Sequence, residues 1–425
     1  MPIHTLASVF GDIPTSQLVL GAATFALIFS LTIWAGGKKC VWEREWAGKM
    51  IMIVAQPTPT ILTLLDHLLH LPSPPQILFL PPISSPLPDD LLTILHAMRI
   101  SAGKNPLAQL HCESLPRTPT AVRDFTKKWA TAPTGTTGAE GRRIDAVVLG
   151  EGWNVLPMEA KTEGRWSTHE HQFHLLTSLL PYLLRAPAER NIRIVSLISP
   201  SWQAAIPSMQ GVKPRQDIVY NTGARSVTTI LLMNHFQLIF DTLASASLGT
   251  IKPIPKPSPT TESDEKEAKL TRKRDKSIKS NIMAVNVIMP WTRFEAIKPA
   301  VVETTLSKIL YVSLALWILF YPLILILTPS SKNAIQSILF ALSAPVRYEP
   351  RDETVKIKDQ GKETLEDRRS AVEGGDVIRD CAVIDVPPIV KDPIFSKTTY
   401  DALEKDVEKG VKKLEMSEKK TDKPC

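Results

Sequence analysis

The sequence predicts an α/β fold, a parallel sheet covered on both faces by helices. Three observations carry this. Short uninterrupted apolar runs recur from Lys49 to Met289, as buried parallel strands require. Segments with helical apolar spacing fall between them, and the alternation of the two is the signature of strand–helix–strand units. The chain has 425 residues, 44% hydrophobic and 22% charged, enough to bury a large core.

The elements follow in order. Lys49–Val54 (KMIMIV) reads as a buried strand and Ile61–Leu71 as a helix. Gln76–Leu80 is a second strand, bracketed by prolines that cannot continue a helix. Ala108–Glu113 is a weak third strand and Ala121–Ala130 an amphipathic helix. Thr131–Arg142 is a Gly/Thr-rich loop before the strand Ile144–Leu149. Thr168–Leu184 reads as a helix, Ile192–Ile198 as a strand, Thr222–Ala246 as a long apolar helix and Asn281–Met289 as a strand. Residues 249–280, rich in Pro, Lys and Ser and then in mixed charge, interrupt the order as a disordered insertion. Residues 346–425 form a charged tail, in which Asp401–Lys420 has opposite charges at i,i+4 and reads as a solvated helix.

Two segments point to a membrane. Leu18–Ala35 carries no charge over eighteen residues, close to the shortest helix that crosses a hydrocarbon core. Lys38, Lys39, Arg44 and Lys49 follow it and no Lys or Arg precedes it. The positive-inside rule therefore puts residues 1–17 in the lumen and the rest in the cytosol. A cleaved signal peptide is disfavoured, since the basic leading region is missing. Ile309–Leu327 is also uncharged, but Pro322 interrupts it. A full span there would strand the late helix and any final strand near Cys381–Val386 on the far side. It is therefore expected to lie at the interface or re-enter, leaving Leu18–Ala35 as the one span. The endoplasmic reticulum and the lipid droplet are the compartments expected.

The net charge is +7, with Lys and Arg dispersed and no basic stripe interleaved with aromatics, which excludes a nucleic-acid surface. The four cysteines, Cys40, Cys112, Cys381 and Cys425, have neither metal-ligand nor disulfide-framework spacing. His169, His171 and His174 suggest a metal motif, but 169 and 171 lie about 200° apart on a helix, so no metal is expected. Asp145 reads as a strand-end charge and Glu151 as a loop charge.

Five segments in order resemble short-chain dehydrogenase/reductases, especially a membrane-bound, retinol-dehydrogenase-like branch, in a divergent fungal-type member. Arg143–Leu149 resembles the strand leading to that family's Asn-Asn-Ala-Gly turn, and His169–Leu184 its next core helix. Arg193–Ser199 is similar to the strand carrying the catalytic serine. Ala284–Arg293 is similar to the segment approaching the nicotinamide, and Thr328–Pro345 to a late helix. The resemblance covers residues 49–345 and implies a Rossmann-like, doubly wound sheet, NADP or NAD as cofactor, and a lipophilic alcohol or ketone at the membrane face. It implies Ser199, Tyr220 and Arg225 as the catalytic set, and Ala55, Gly150, Gly152 and Pro290 as cofactor-binding positions. The sequence departs from the pattern in three places. Ala55–Thr60 (AQPTPT) has no glycine where a pyrophosphate must approach backbone N–H groups, and its two prolines remove donors. Leu149–Gly152 (LGEG) replaces the Asn-Asn-Ala-Gly turn. Four residues after Tyr220 stands Ala224 rather than lysine, and Arg225 is rotated a further 100° or so around the helix. The competing expectation is a catalytically lapsed relative that binds lipid or protein, with 249–280 or the tail as the protein-binding segment.

Overall fold

The computed structural model describes Thr24 and residues 38–131, 143–153, 166–185, 190–213, 217–249, 279–292, 328–346 and 371–421. The expected span at 18–35, the loop 132–142, the insertion to residue 278 and the apolar segment 309–327 lie outside these, Thr24 apart.

Eight strands form one sheet. They are β1 (Met50–Ala55), β2 (Gln76–Leu80), β3 (Gln109–Cys112), β4 (Ala146–Gly150), β5 (Ile192–Ile198), β6 (Ile282–Ile288), β7 (Val377–Arg379) and β8 (Ala382–Ile384). Their order is β3-β2-β1-β4-β5-β6-β7-β8. Every pairing is parallel except β7 with β8. The order reverses direction between β1 and β4, which makes this a Rossmann-like doubly wound sheet with its switch point there.

Alternation along the strands divides the core in two. Ile51 and Ile53 of β1 face one side, with Phe79, Val148 and Val285, under α1 (Pro59–Leu69), α2 (Asp89–Ala102) and a later helix at Ser331–Ser343. Met52 and Val54 face the other, with Leu149, Ile194 and Ala284, under α3 (Pro119–Thr131) and α4 (Thr168–Leu184). After β5 come a 3-10 helix (Pro200–Ala205), the single turn α5 (Ile206–Met209) and the long α6 (Ile218–Gly249). Among the described residues the remaining helices are α7 (Ser331–Ser343), α8 (Pro388–Lys391) and α9 (Pro393–Thr421).

The observed bounds of β2, α4 and β5 coincide with those read from the sequence. For α4 the reason is local: Ser167 and Glu170 form a reciprocal capping box, with Ser167 N–H donating to Glu170 Oε2 at 2.6 Å. Helix α2 left little pattern to read. Its N-cap is Pro88 with no side-chain cap, and it buries only Leu91, Leu95 and Ala102.

Two expectations about residues 346–425 are corrected. The domain does not end at 345, because β7 and β8 complete the sheet and Val372, Val377, Ile378 and Val390 are buried. Nor is the last helix solvated all round. Leu403 and Val411 of α9 pack on the α3–α4–α6 side, where Val407 is buried, and Tyr400 makes an edge contact with Phe173 at 4.9 Å. Its outer surface keeps the charged pairs, such as Lys412 with Glu408 at 3.2 Å. Among the described residues, Val219–Ala246 of α6 is the one stretch long and apolar enough to cross a membrane. It lies against β5, β6 and α9, and apolar residues all round suit a helix enclosed by its neighbours.

Candidate functional site

In doubly wound sheets, ligands bind beyond the carboxyl ends of the strands, at the switch point. Here that point lies between Ala55, at the end of β1, and Gly150, at the end of β4, which are register partners. A Cβ on Gly150 would stand 2.7 Å from the Ala55 Cβ, 3.2 Å from Ile61 and 3.4 Å from Leu197. The glycine is therefore required by packing between protein groups. Gly152 takes φ +85°, a left-handed conformation that favours glycine, and turns the chain beside Thr168.

Glu151, between these glycines, is 3% exposed and not the loop charge expected from sequence. Arg117, in the loop after β3, donates from Nε to Glu151 Oε2 at 3.1 Å, and both side chains are buried. His171 of α4 brings Nδ1 to 3.5 Å from the same oxygen, an electrostatic contact rather than a well-formed hydrogen bond. Gln172 donates from Nε2 to the Glu151 carbonyl at 3.4 Å. Burial alone would raise the Glu151 pKa; His171 and then Arg117 outweigh it and hold the carboxyl below its ordinary value. Trp153, 1% exposed, completes the cluster.

This arrangement does not fit a dinucleotide. Glu151, Trp153, His171 and Gln172 are all buried away from any ligand, and among the described residues Glu151 Oε1, Gln172 Oε1, Trp153 Nε1 and both His171 ring nitrogens have no hydrogen-bond partner. A pyrophosphate needs donors. The entry to α1 supplies few: Pro59 occupies its first turn, and the Ile61 N–H is taken by the Thr58 hydroxyl at 3.4 Å. Ala55 and Gly150, expected at the cofactor, pack against each other at the ends of β1 and β4. Pro290 follows β6, half-buried, beside the exposed Trp291.

The expected catalytic residues lie on the 3-10 helix after β5 and on the first turns of α6. Ser199 is fully buried as N-cap of the 3-10 helix, its hydroxyl 2.9 Å from that of Ser201. Its N–H donates to Ser226 Oγ, which in turn donates to the Thr222 carbonyl. Tyr220 lies in the first turn of α6, where its N–H donates to Asp217 Oδ1 at 2.6 Å. Its side chain packs with Ala224 on the cluster of Ile198, Trp202 and Val390, so Ser199 and Tyr220 border the same region. Arg225 is on the side of α6 turned to α4, where its carbonyl meets His169 Nε2 at 3.0 Å. Helix α6 also lies so close to the 3-10 helix at Gly223 that a Cβ there would overlap the Ser201 carbonyl oxygen.

The three histidines go to three neighbours. His169 meets α6, His171 faces Glu151, and His174 stacks edge-on against Trp166 at 4.8 Å. Among the described residues no group of three His, Cys, Asp or Glu side chains could hold a metal ion. Sequence reasoning missed Arg117 as a partner for Glu151. Its surroundings (SLPRTPT) carry no periodic signal, and the two residues are 34 positions apart.

No protein-family model matches the chain, and no curated protein is similar to it. Solved structures are similar to it in fold. A short-chain dehydrogenase from Shigella flexneri is 11% identical over 81% of this chain and 96% of its own, with a TM-score of 0.40. L-sorbose reductase from Gluconobacter frateurii, complexed with NADPH and L-sorbose, is 13% identical over 81% and 99%, with a TM-score of 0.39. A citronellol catabolism dehydrogenase from Pseudomonas aeruginosa is 10% identical over 72% and 92%, with a TM-score of 0.35.

Proposed function

We propose that this chain is a membrane-anchored, Rossmann-like protein, oxidoreductase by ancestry, that now works as a lipid- or protein-binding scaffold. The single observation that carries this reading is the closed switch point. The pyrophosphate position is taken by packed Ala55 and Gly150 and by a buried Glu151 held by Arg117 and His171. The ancestry rests on the strand order and on the ordered resemblance of residues 49–345. Anchoring rests on the uncharged Leu18–Ala35 and the lysines after it, with the domain in the cytosol at the endoplasmic reticulum or a lipid droplet. A lipophilic ligand and a protein partner through 249–280 or the tail 346–425 belong to the same proposal.

A retained NADP- or NAD-dependent reductase is the second reading, favoured by Ser199 and Tyr220 bordering one region. Titration calorimetry with NADPH and NADH at millimolar concentration separates the two. No binding heat is expected. Saturable heat that disappears when Glu151, Ser199 or Tyr220 is altered would overturn the scaffold reading in favour of the reductase.

A further inference from the structure

We infer that one corner of the domain, at the carboxyl end of β6 and β7, is the surface that docks on an anionic bilayer. This rests on the membrane-anchored reading and adds which face is turned to the lipid. The chain reaches that corner from both apolar segments. Lys38, three residues past Ala35, offers its carbonyl to Cys381 Sγ at 3.3 Å, and Cys381 is in the turn that joins β7 to β8. Residues 290–292 lead from the end of β6 toward Ile309–Leu327. The chain returns at Thr328, just before the Ser330 cap of α7. Helix α7 runs back against the strands: Arg44 and Arg193, near their amino ends, donate to carbonyls in its last turn and just beyond it. Its start, with the exposed Lys332, is therefore at the carboxyl end too. From Lys38 the chain descends along α7, with the Cys40 N–H donating to Gln336 Oε1 at 3.0 Å.

The described side chains at this corner suit a lipid headgroup layer. Trp42 is 44% exposed, Trp291 40% and Val41 89%. Tryptophan beside a membrane segment sits at the headgroup level. Lys38, Lys39 and Lys332 are exposed, and Arg379 offsets Asp380 at 3.4 Å at the hairpin tip. Glu43, exposed beside Trp42, offsets one of these cations, and the corner keeps a net positive charge with apolar projections, the complement of an anionic interface. Glu45, near the amino end of β1, lies at the other end of the strands, and Lys409, on α9, lies on the opposite face of the sheet from α7.

The test uses the full chain reconstituted into vesicles of phosphatidylcholine with and without phosphatidylserine. Its four cysteines are replaced by serine, and a single new cysteine carries an environment-sensitive fluorophore. Labels at Val41→Cys and Trp291→Cys should lose fluorescence to nitroxide-bearing lipids, and labels at Glu45→Cys and Lys409→Cys should not. The loss should be larger with phosphatidylserine present. Each of Lys38→Gln, Lys39→Gln and Lys332→Gln should weaken the serine-lipid effect about fivefold. Equal quenching at all four sites, or stronger quenching at 45 or 409, would overturn the docking face. If the protein still resists alkaline carbonate extraction, the anchor reading survives that result. Extraction by carbonate would overturn the anchor, and the docking face with it.

Discussion

Glu151 is the residue whose role the tertiary structure changed most. With Arg117 it forms a fully buried ion pair, and removing one partner of such a pair leaves a charge without compensation. Glu151→Gln should destabilise the domain by about 3–5 kcal/mol, read from chemical denaturation. Because its carboxyl is held below its ordinary value, its stabilisation is complete above the unfolded-state pKa and is lost as pH falls through the lower folded value. The histidines add a second acid sensitivity of their own. Burial pushes His174 down to about 4, and burial likewise lowers His169. Below about pH 6.5 the unfolded chain therefore takes up protons that the folded chain refuses. Stability should fall as pH drops from there to about 4, and His174→Phe should flatten part of that slope in denaturation midpoints measured across pH.

Helix contacts set the next level of constraint. Gly223 lets α6 press against the 3-10 helix after β5, where a Cβ would meet backbone rather than a flexible side chain. Gly223→Ala should cost about 1–3 kcal/mol and loosen the region shared by Ser199 and Tyr220, detectable as faster amide exchange in residues 199–205. The β7–β8 hairpin turns through Asp380 and Cys381 at φ +50° and +56°. Such turns favour Asn-Gly or Asp-Gly. Asp-Cys conceals the signal, which is why the sequence suggested one final strand there instead of two. Helix α2 escaped notice for another reason: with a proline at its N-cap and three buried residues, it shows no strong periodic face.

At the scale of the whole molecule, α9 covers the side of the domain built by α3, α4 and α6. It places Tyr400 against Phe173 and Phe236, and buries Val407. Ending the chain at Asp392 should expose these aromatics, giving dye binding to apolar surface and self-association by size exclusion, with a lowered melting temperature. Val407→Asp should reproduce part of the effect, since an unpaired buried carboxylate is costly. The helix looked solvated in sequence because its charges at i,i+4 dominate, whereas its apolar stripe is thin and finds partners more than 150 residues away.

The sequence by itself determined the alternation of strands and helices, because buried parallel strands must be apolar and their connecting helices must show a 3.6-residue period. Residues such as Gln76–Leu80 and Ile192–Ile198 carry that information locally. It also showed that the turn after β1 lacks glycines and loses two N–H donors to prolines. Only the tertiary structure decided what occupies the switch point instead, for Arg117, Glu151 and His171 come from three separate segments and meet because the parallel order β3-β2-β1-β4 puts the chain after β3 and the chain after β4 at the same end of the sheet. The same long-range assembly turned a charged tail into two strands and a core-covering helix. Local pattern reports which face of an element is apolar; it does not report which distant face will cover it.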